Sequence, residues 1–450
     1  MFSAVRKFSG SLLLVILAFA YLTRMFNVYT PNGYMFDEVY HASTAKLIAH
    51  NDPRAFEWWN PPPEPNTAVD WLHPPLAKYT QALSIVAFGE NSFGWRFSSV
   101  IFGTLTIMMV YHLAKALFKD EKVALLAAGI ASLDGLLLVQ SRIAMNDIHV
   151  TFFILLTLYA YVRFRNTNQF SQLLLVGLCA GLAAATKWSG IYILGTVFLL
   201  EAVRLITIIV TTNGKLLNKR YPFKALVIDT ALWLFAVVVI PCAVYISSYW
   251  MMFAQGKSWK HFLDLHYQIW YYQTHLSATH PYQSVPWQWL LNVKPVWYFV
   301  EYLGAQRADM YASGNTVIFW TGLLAVIASI TLVAKEIIKN KKGWFKNALK
   351  NVNESAHVRV ILPYLLVWLP WSFSPRIMFF YHYTPAVPLL CIVLAFWLKQ
   401  LYQYSDTEKK IVWLVLILAL LYFIVWYPHW VAIPVSTAFK DAVYFKFDTL

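Results

Sequence analysis

The feature that most constrains this chain is the length of its apolar runs. They reach about 18 or more residues, enough to cross a bilayer core, and recur from one end of the chain to the other. A long apolar run in lipid has to satisfy its own backbone, which leaves helices or closed barrels. Alternating ten-residue strands of a barrel are not seen. Composition agrees: 59% of the 450 residues are hydrophobic and 13% charged, with a mean hydropathy of +0.51, whereas a soluble domain is about a quarter charged. The expected fold class is an all-α polytopic membrane protein.

Hydropathy, Pro/Gly punctuation and charge predict spans near 9–27, 96–117, 124–142, 147–164, 172–187, 190–209, 227–248, 315–335, 357–373, 378–398 and 411–428, about eleven in all. The +14 formal charge does not indicate nucleic acid, because its Lys and Arg residues cluster in short loops. With a cytoplasmic N-terminus, one side collects Arg6 and Lys7; Lys115, Lys119 and Lys122; Arg163 and Arg165; Arg204, Lys215, Lys219, Arg220 and Lys224. The same side takes 335–350 and 405–410. No small-residue cleavage site follows the first span, which therefore reads as retained. Cys179, Cys242 and Cys391 all sit in apolar segments and read as small core residues.

Two outside segments, 28–95 and 249–314, are too long to be plain connectors. The second is dense in Trp and Tyr, which suits short amphipathic helices in the membrane interface. Three regions follow: a module 1–248 with seven spans and the first outside loop, the aromatic loop 249–314, and a four-span region 315–450. No inverted repeat relates the halves, which weighs against a transporter.

Asp37 and Glu38 stand side by side at the start of the first loop. One explanation is structural, an acid opening a helix at its positive end. On a helix the two acids diverge by about 100°, while Tyr40, His41 and Thr44 share the Asp37 face. One acid then addresses a substrate and the other a neighbour, unlike the paired carboxylates of glycoside hydrolysis. In 72–78, "LHPPLAK", two prolines fix a turn ahead of a helix; a structural turn is enough to account for them, and His73 and Lys78 are the candidate functional members. Arg96, Asp134, Arg142, Asp147, Lys187 and Arg376 lie within or at the edges of spans, where charges pair, snorkel or serve function. Arg142 is expected to pair with Asp134 or Asp147. His382 lies deeper in the span after Arg376. Arginines beside exposed acids suit an anionic lipid phosphate. No P-loop, zinc-type or dinucleotide motif is present.

Eight stretches in order, "FDEVYH" (36–41), "LHPPLAK" (72–78), "FGWRFSSVIFGTLT" (93–106), "LDGLLLVQSRIAMNDIHVTFF" (133–153), "GLAAATKWSG" (181–190), "THPYQSVPW" (279–287), "GNTVIFW" (314–320) and "RIMFFYHYTP" (376–385), resemble the protein O-mannosyltransferases of the GT-C class. The resemblance covers nearly the whole chain. It implies a GT-C fold of about eleven spans, an N-terminus in the cytoplasm and an active site outside. Residues 249–314 are too few for the β-trefoil that eukaryotic members carry there, so the chain resembles a compact prokaryotic relative.

The resemblance further implies mannose transfer from a polyprenyl-phosphate donor to Ser/Thr hydroxyls of secreted or membrane proteins. Asp37 would be the general base and Glu38 would support donor or acceptor positioning. Arg96 would bind the lipid phosphate. Arg142, Arg376, His382 and Lys187 carry over to the donor side, and His41, His73 and Lys78 to the loop that meets the acceptor. No metal or cofactor is expected, since arginines can neutralise a monophosphate leaving group. Dimerisation is left open. Two alternatives remain: a GT-C transferase acting on a lipid or cell-wall glycan, and a transporter or flippase.

Overall fold

The computed structural model describes residues 2–211, 223–338 and 344–444. Lys215, Lys219, Arg220 and residues 339–343 lie outside the described residues. The chain opens with α1 (Phe2–Met25), then a loop with α2 (Glu38–Ala49) and α3 (Leu76–Phe88), then α4 (Ser92–Phe118), α5 (Glu121–Ser132) and α6 (Gly135–Gln140). There follow α7 (Asp147–Thr167), α8 (Phe170–Thr186), α9 (Tyr192–Thr211), α10 (Phe223–Leu234) and α11 (Ile240–Ser247). The second outside segment holds α12 (Trp250–Ala254), α13 (Trp259–His275), α14 (Pro286–Leu290) and strands β1 (Val296–Leu303) and β2 (Gln306–Ala312). The remainder is α15 (Thr316–Ile338), α16 (Trp344–Glu354), α17 (Val358–Trp368), α18 (Val387–Tyr402), α19 (Asp406–Val431), β3 (Val435–Ser436) and α20 (Thr437–Val443).

The predicted spans all coincide with helical elements, and the chain is a multi-pass membrane protein. By length and composition, seven helical segments among the described residues can cross a membrane, or eight if a bent pair counts as one span. Four predicted spans fall short of that measure: Gly10–Met25 and Phe170–Thr186 are apolar but shorter, 357–373 belongs to the bent pair, and 124–142 is broken. Residues 124–142 split at Asp134, whose side chain caps α6 by accepting from the Leu137 amide at 2.8 Å and from the Asn315 amide at 3.1 Å. A carboxylate at this depth keeps company only with donors, and the freed amides of a broken helix supply them. Asp134 is therefore not the partner of Arg142 that the sequence suggested.

Local signals set the hairpins. Asn91 caps α4 and Asp120 caps α5 through their side chains, while Lys119 and Asn168 take left-handed backbone to stop α4 and α7. α4 then packs on α1, α3, α5 and α7, and α7 on α8. The burial of individual spans differs: 78% of the α7 window is inside the protein but only 22% of the α19 window. α7 is a core helix, and α19 presents most of its surface to lipid. Gly177 and Gly181 on α8 let α10–α11 approach, since an added Cβ at Gly177 would meet the Ala236 carbonyl at 1.7 Å. Cys242, expected in the core, is exposed on that outer helix, whereas Cys179 and Cys391 are buried.

The second outside segment departs from an all-helical expectation. α13 does expose an aromatic stripe, with Trp259, Tyr267 and Trp270 each about half accessible, as an interfacial helix should. Residues 296–312, however, form an antiparallel hairpin that takes β3 from the C-terminal region as a third strand, in the order β1-β2-β3.

Candidate active site

The first loop folds around α2. Asp37 stands at its N-cap position but makes no side-chain cap bond, so the capping explanation does not hold for the side chain. Its Oδ2 instead accepts from the Tyr381 hydroxyl at 3.2 Å, and it faces a cavity of about 810 Å³. That volume suits a small-molecule site. Depth within the protein pushes the Asp37 pKa above the ordinary carboxylate value, against the opposing pull of His41, Tyr381 and Lys187.

Glu38 turns the other way, as the helical angle requires. It is fully buried and forms an ion pair with Arg96 at 2.7 Å. Its Oε2 also accepts from the Met35 amide and its Oε1 from the Ala144 amide, both at 3.0 Å. Glu38 thus binds three chain segments beneath the site and does not line the cavity.

Arg96 corrects the sequence expectation outright. Its Nε and Nη2 donate to Glu38, its Nη1 to the Val28 and Pro31 carbonyls, and its Nη2 also to the Gly33 carbonyl. All five donors of the guanidinium are engaged, so none is left for a lipid phosphate. Arg142 is likewise buried. Its Nη1 donates to the carbonyls of Arg24 and Phe26 and its Nη2 to that of Asn27, so it pairs with neither Asp134 nor Asp147 and does not reach the cavity.

Six expected residues do meet at the cavity wall: Asp37, His41, His73, Lys187, Arg376 and His382. Lys187 Nζ donates to Asp147 Oδ1 at 2.8 Å and lies 5.6 Å from the centre of the Tyr381 ring. Arg376 donates through Nη1 to Gln273 of α13, while its buried Nε has no partner. The His382 ring packs on Trp371 with centroids 4.2 Å apart.

Lys78 does not reach this wall. It is buried, with Nζ donating to the His73 carbonyl at 2.9 Å and to the Asp70 carbonyl, and it lies 3.0 Å from Asp70 Oδ2. It ties the proline turn together. Asp70 itself was not singled out from the sequence, although it stands three residues ahead of His73. It meets His41, His73 and Lys78 at once. Burial alone would raise its pKa, but these neighbours hold it well below the usual carboxylate range. Burial lowers His73 to about 4 despite Asp70 beside it, so that ring is neutral. Tyr381 and Gln273 were also missed, because only the tertiary fold brings 376–382 and α13 over α2.

The arrangement can remove a proton at Asp37 and hold an anion between Lys187 and Arg376, all three lining one open cavity. Comparison with known proteins bears on the family and the fold. A family profile described as dolichyl-phosphate-mannose-protein mannosyltransferase matches residues 14–255, and one described as the C-terminal four-transmembrane region of protein-O-mannosyltransferase matches 258–444. A polyprenol-phosphate-mannose–protein mannosyltransferase of Corynebacterium glutamicum is 29% identical over 381 residues, covering 72% of this chain and 69% of that protein. A Mycolicibacterium smegmatis protein of the same name is 24% identical over 437 residues, covering 85% and 80%. In fold, the chain resembles a solved structure of the S. cerevisiae Pmt1-Pmt2 complex bound to the sugar donor, with a TM-score of 0.78, 13% identity and coverage of 97% and 92%. It also resembles Cupriavidus metallidurans ArnT bound to undecaprenyl phosphate, at a TM-score of 0.57, 13% identity and coverage of 92% and 63%. The fold is thus GT-C, and the chain belongs to the dolichyl-phosphate-mannose–protein mannosyltransferase family of glycosyltransferases.

Proposed function

We propose that this chain transfers mannose from a polyprenyl-phosphate donor to Ser/Thr hydroxyls of proteins on the extracytoplasmic face, with Asp37 as general base. One observation carries the reading. Of two adjacent acids, Asp37 alone opens into the 810 Å³ cavity, which also receives Lys187 and Arg376. The relatives' names supply the donor and acceptor classes.

In the reaction the acceptor hydroxyl attacks the anomeric carbon while its proton passes to Asp37. The bond from that carbon to the phosphate oxygen breaks, and its electron pair leaves with the phosphate. Charge on that oxygen grows toward the transition state, where a fixed cation stabilises it more than in the ground state. Arg376, with its Nε unpaired, and Lys187 take the part expected of Arg96. Direct displacement inverts the anomeric centre. This step calls for no metal. The basic loops on one side support a cytoplasmic N-terminus and an outward-facing site.

The test is Asp37→Asn in membranes supplied with polyprenyl-phosphate mannose and an acceptor protein. Donor binding is retained and transfer is abolished. Wild-type turnover by this variant would remove Asp37 from the mechanism, and label found only in lipid or glycan would overturn the protein acceptor.

A further inference from the structure

The Asp70 carboxylate has no part in the transfer chemistry, yet it joins two imidazoles of the cavity wall. His73 Nδ1 lies 2.9 Å from Asp70 Oδ1. His41 Nδ1 lies 2.7 Å from Asp70 Oδ2, close but poorly aligned as a hydrogen bond. The two rings are 5.4 Å apart between centroids. Both meet Asp70 through Nδ1, and both residues line the cavity beside Asp37. Neither Nε2 has a protein hydrogen-bond partner among the described residues, and neither is sealed from solvent. Asp70 is itself anchored: its amide donates to Thr44 Oγ1 of α2 at 2.7 Å, and Lys78 lies against its carboxylate.

A carboxylate that takes the Nδ1 side of a neutral imidazole holds the proton there and leaves Nε2 as an acceptor. We propose that Asp70 is a positioning residue which fixes the His41 and His73 rings with both Nε2 atoms toward the cavity, where they accept hydrogen bonds from hydroxyl groups of the bound substrates. The inference rests on the transferase reading for the identity of those hydroxyls, which belong to the donor sugar or to the acceptor. His41, Asp70 and His73 also present ligand atoms within 4.8 Å of one another, a spacing a divalent cation could use. Lys78 argues against it, because its ammonium already neutralises the shared carboxylate at 3.0 Å.

The test pairs kinetics with a measurement that needs no turnover. In full-length protein with ¹⁵N-labelled histidine, wild-type His73 shows the neutral form protonated on Nδ1, and His41 carries a proton on the Nδ1 that faces Asp70. Asp70→Asn, which keeps the shape but loses one acceptor oxygen, shifts at least one ring toward the other tautomer. The same variant raises KM for donor or acceptor by about 10- to 100-fold, with kcat changed much less. Whichever KM moves says which hydroxyls are bound. On a His41→Ala/His73→Ala background, Asp70→Asn adds less than about twofold, since Asp70 acts through the rings. Should Asp70→Asn fail to fold, His41→Ala and His73→Ala alone must each raise KM. Unchanged tautomers, unchanged KM or fully additive effects would overturn the proposal. So would zinc ions binding both rings at stoichiometric concentration and being needed for activity. If wild-type protein transfers no mannose, the functional reading fails, and the tautomers still judge Asp70.

Discussion

Two regions on either side of α2 hold charged residues in opposite ways. Beneath the helix, Glu38 and Arg96 form a closed node in which every Arg96 donor is engaged. Above it, Asp37, Arg376 and the two imidazoles line the cavity, and neither imidazole Nε2 has a protein hydrogen-bond partner among the described residues. The difference teaches that a buried arginine beside an acid is not by itself a phosphate site. What matters is whether any donor remains. A closed node holds loop segments in place, and only the open side can exchange its partners for substrate.

The strongest attack on that contrast is Arg96→Met, which leaves the Glu38 carboxylate buried without its partner. A loss of about 3–5 kcal/mol is expected, read as loss of folded protein in detergent thermal unfolding. A folded Arg96→Met protein with a raised donor KM would instead restore Arg96 to the phosphate site. Next is Asp37→Asn. Its kcat should fall by about 10²- to 10⁴-fold with the melting temperature within a few degrees of wild type, because its side chain caps nothing. A large fall in stability would blur the distinction between the two acids.

Arg376→Ala should lower kcat/KM for the lipid donor by about 10- to 100-fold, without affecting folding, since its one side-chain hydrogen-bond partner among the described residues is Gln273. An unchanged kcat/KM would move the phosphate elsewhere on the wall. The mildest prediction concerns pH. The Asp37 pKa is raised, so on acidification the base is protonated earlier than an ordinary aspartate near 3.9 would be. The acidic limb of kcat/KM should therefore lie above that value, and a limb at or below it would contradict the buried base.

Much of this was legible in the residues. The spans could be read because lipid demands about 20 consecutive apolar residues, and Asp37 could be separated from Glu38 by the helical angle alone. Three things could not be read. Arg96 and Arg142 looked like phosphate ligands because sequence shows charges but not the carbonyls of residues 24–33 that satisfy them. Asp70 was overlooked because its partner His41 is 29 positions away, across a loop rich in proline. The β1–β2 hairpin was missed because an aromatic stretch suits an interfacial helix as well as a strand, and β3 comes from the far end of the chain.

The sequence by itself determined that the protein lives in a membrane, which loops carry its basic residues, and that the acids at 37–38 face different ways, since these follow from run length, local charge and helical periodicity. Only the tertiary structure decided which cations are open to a ligand. Whether a buried donor is free depends on carbonyls and carboxylates brought to it from distant segments, and no local pattern records that.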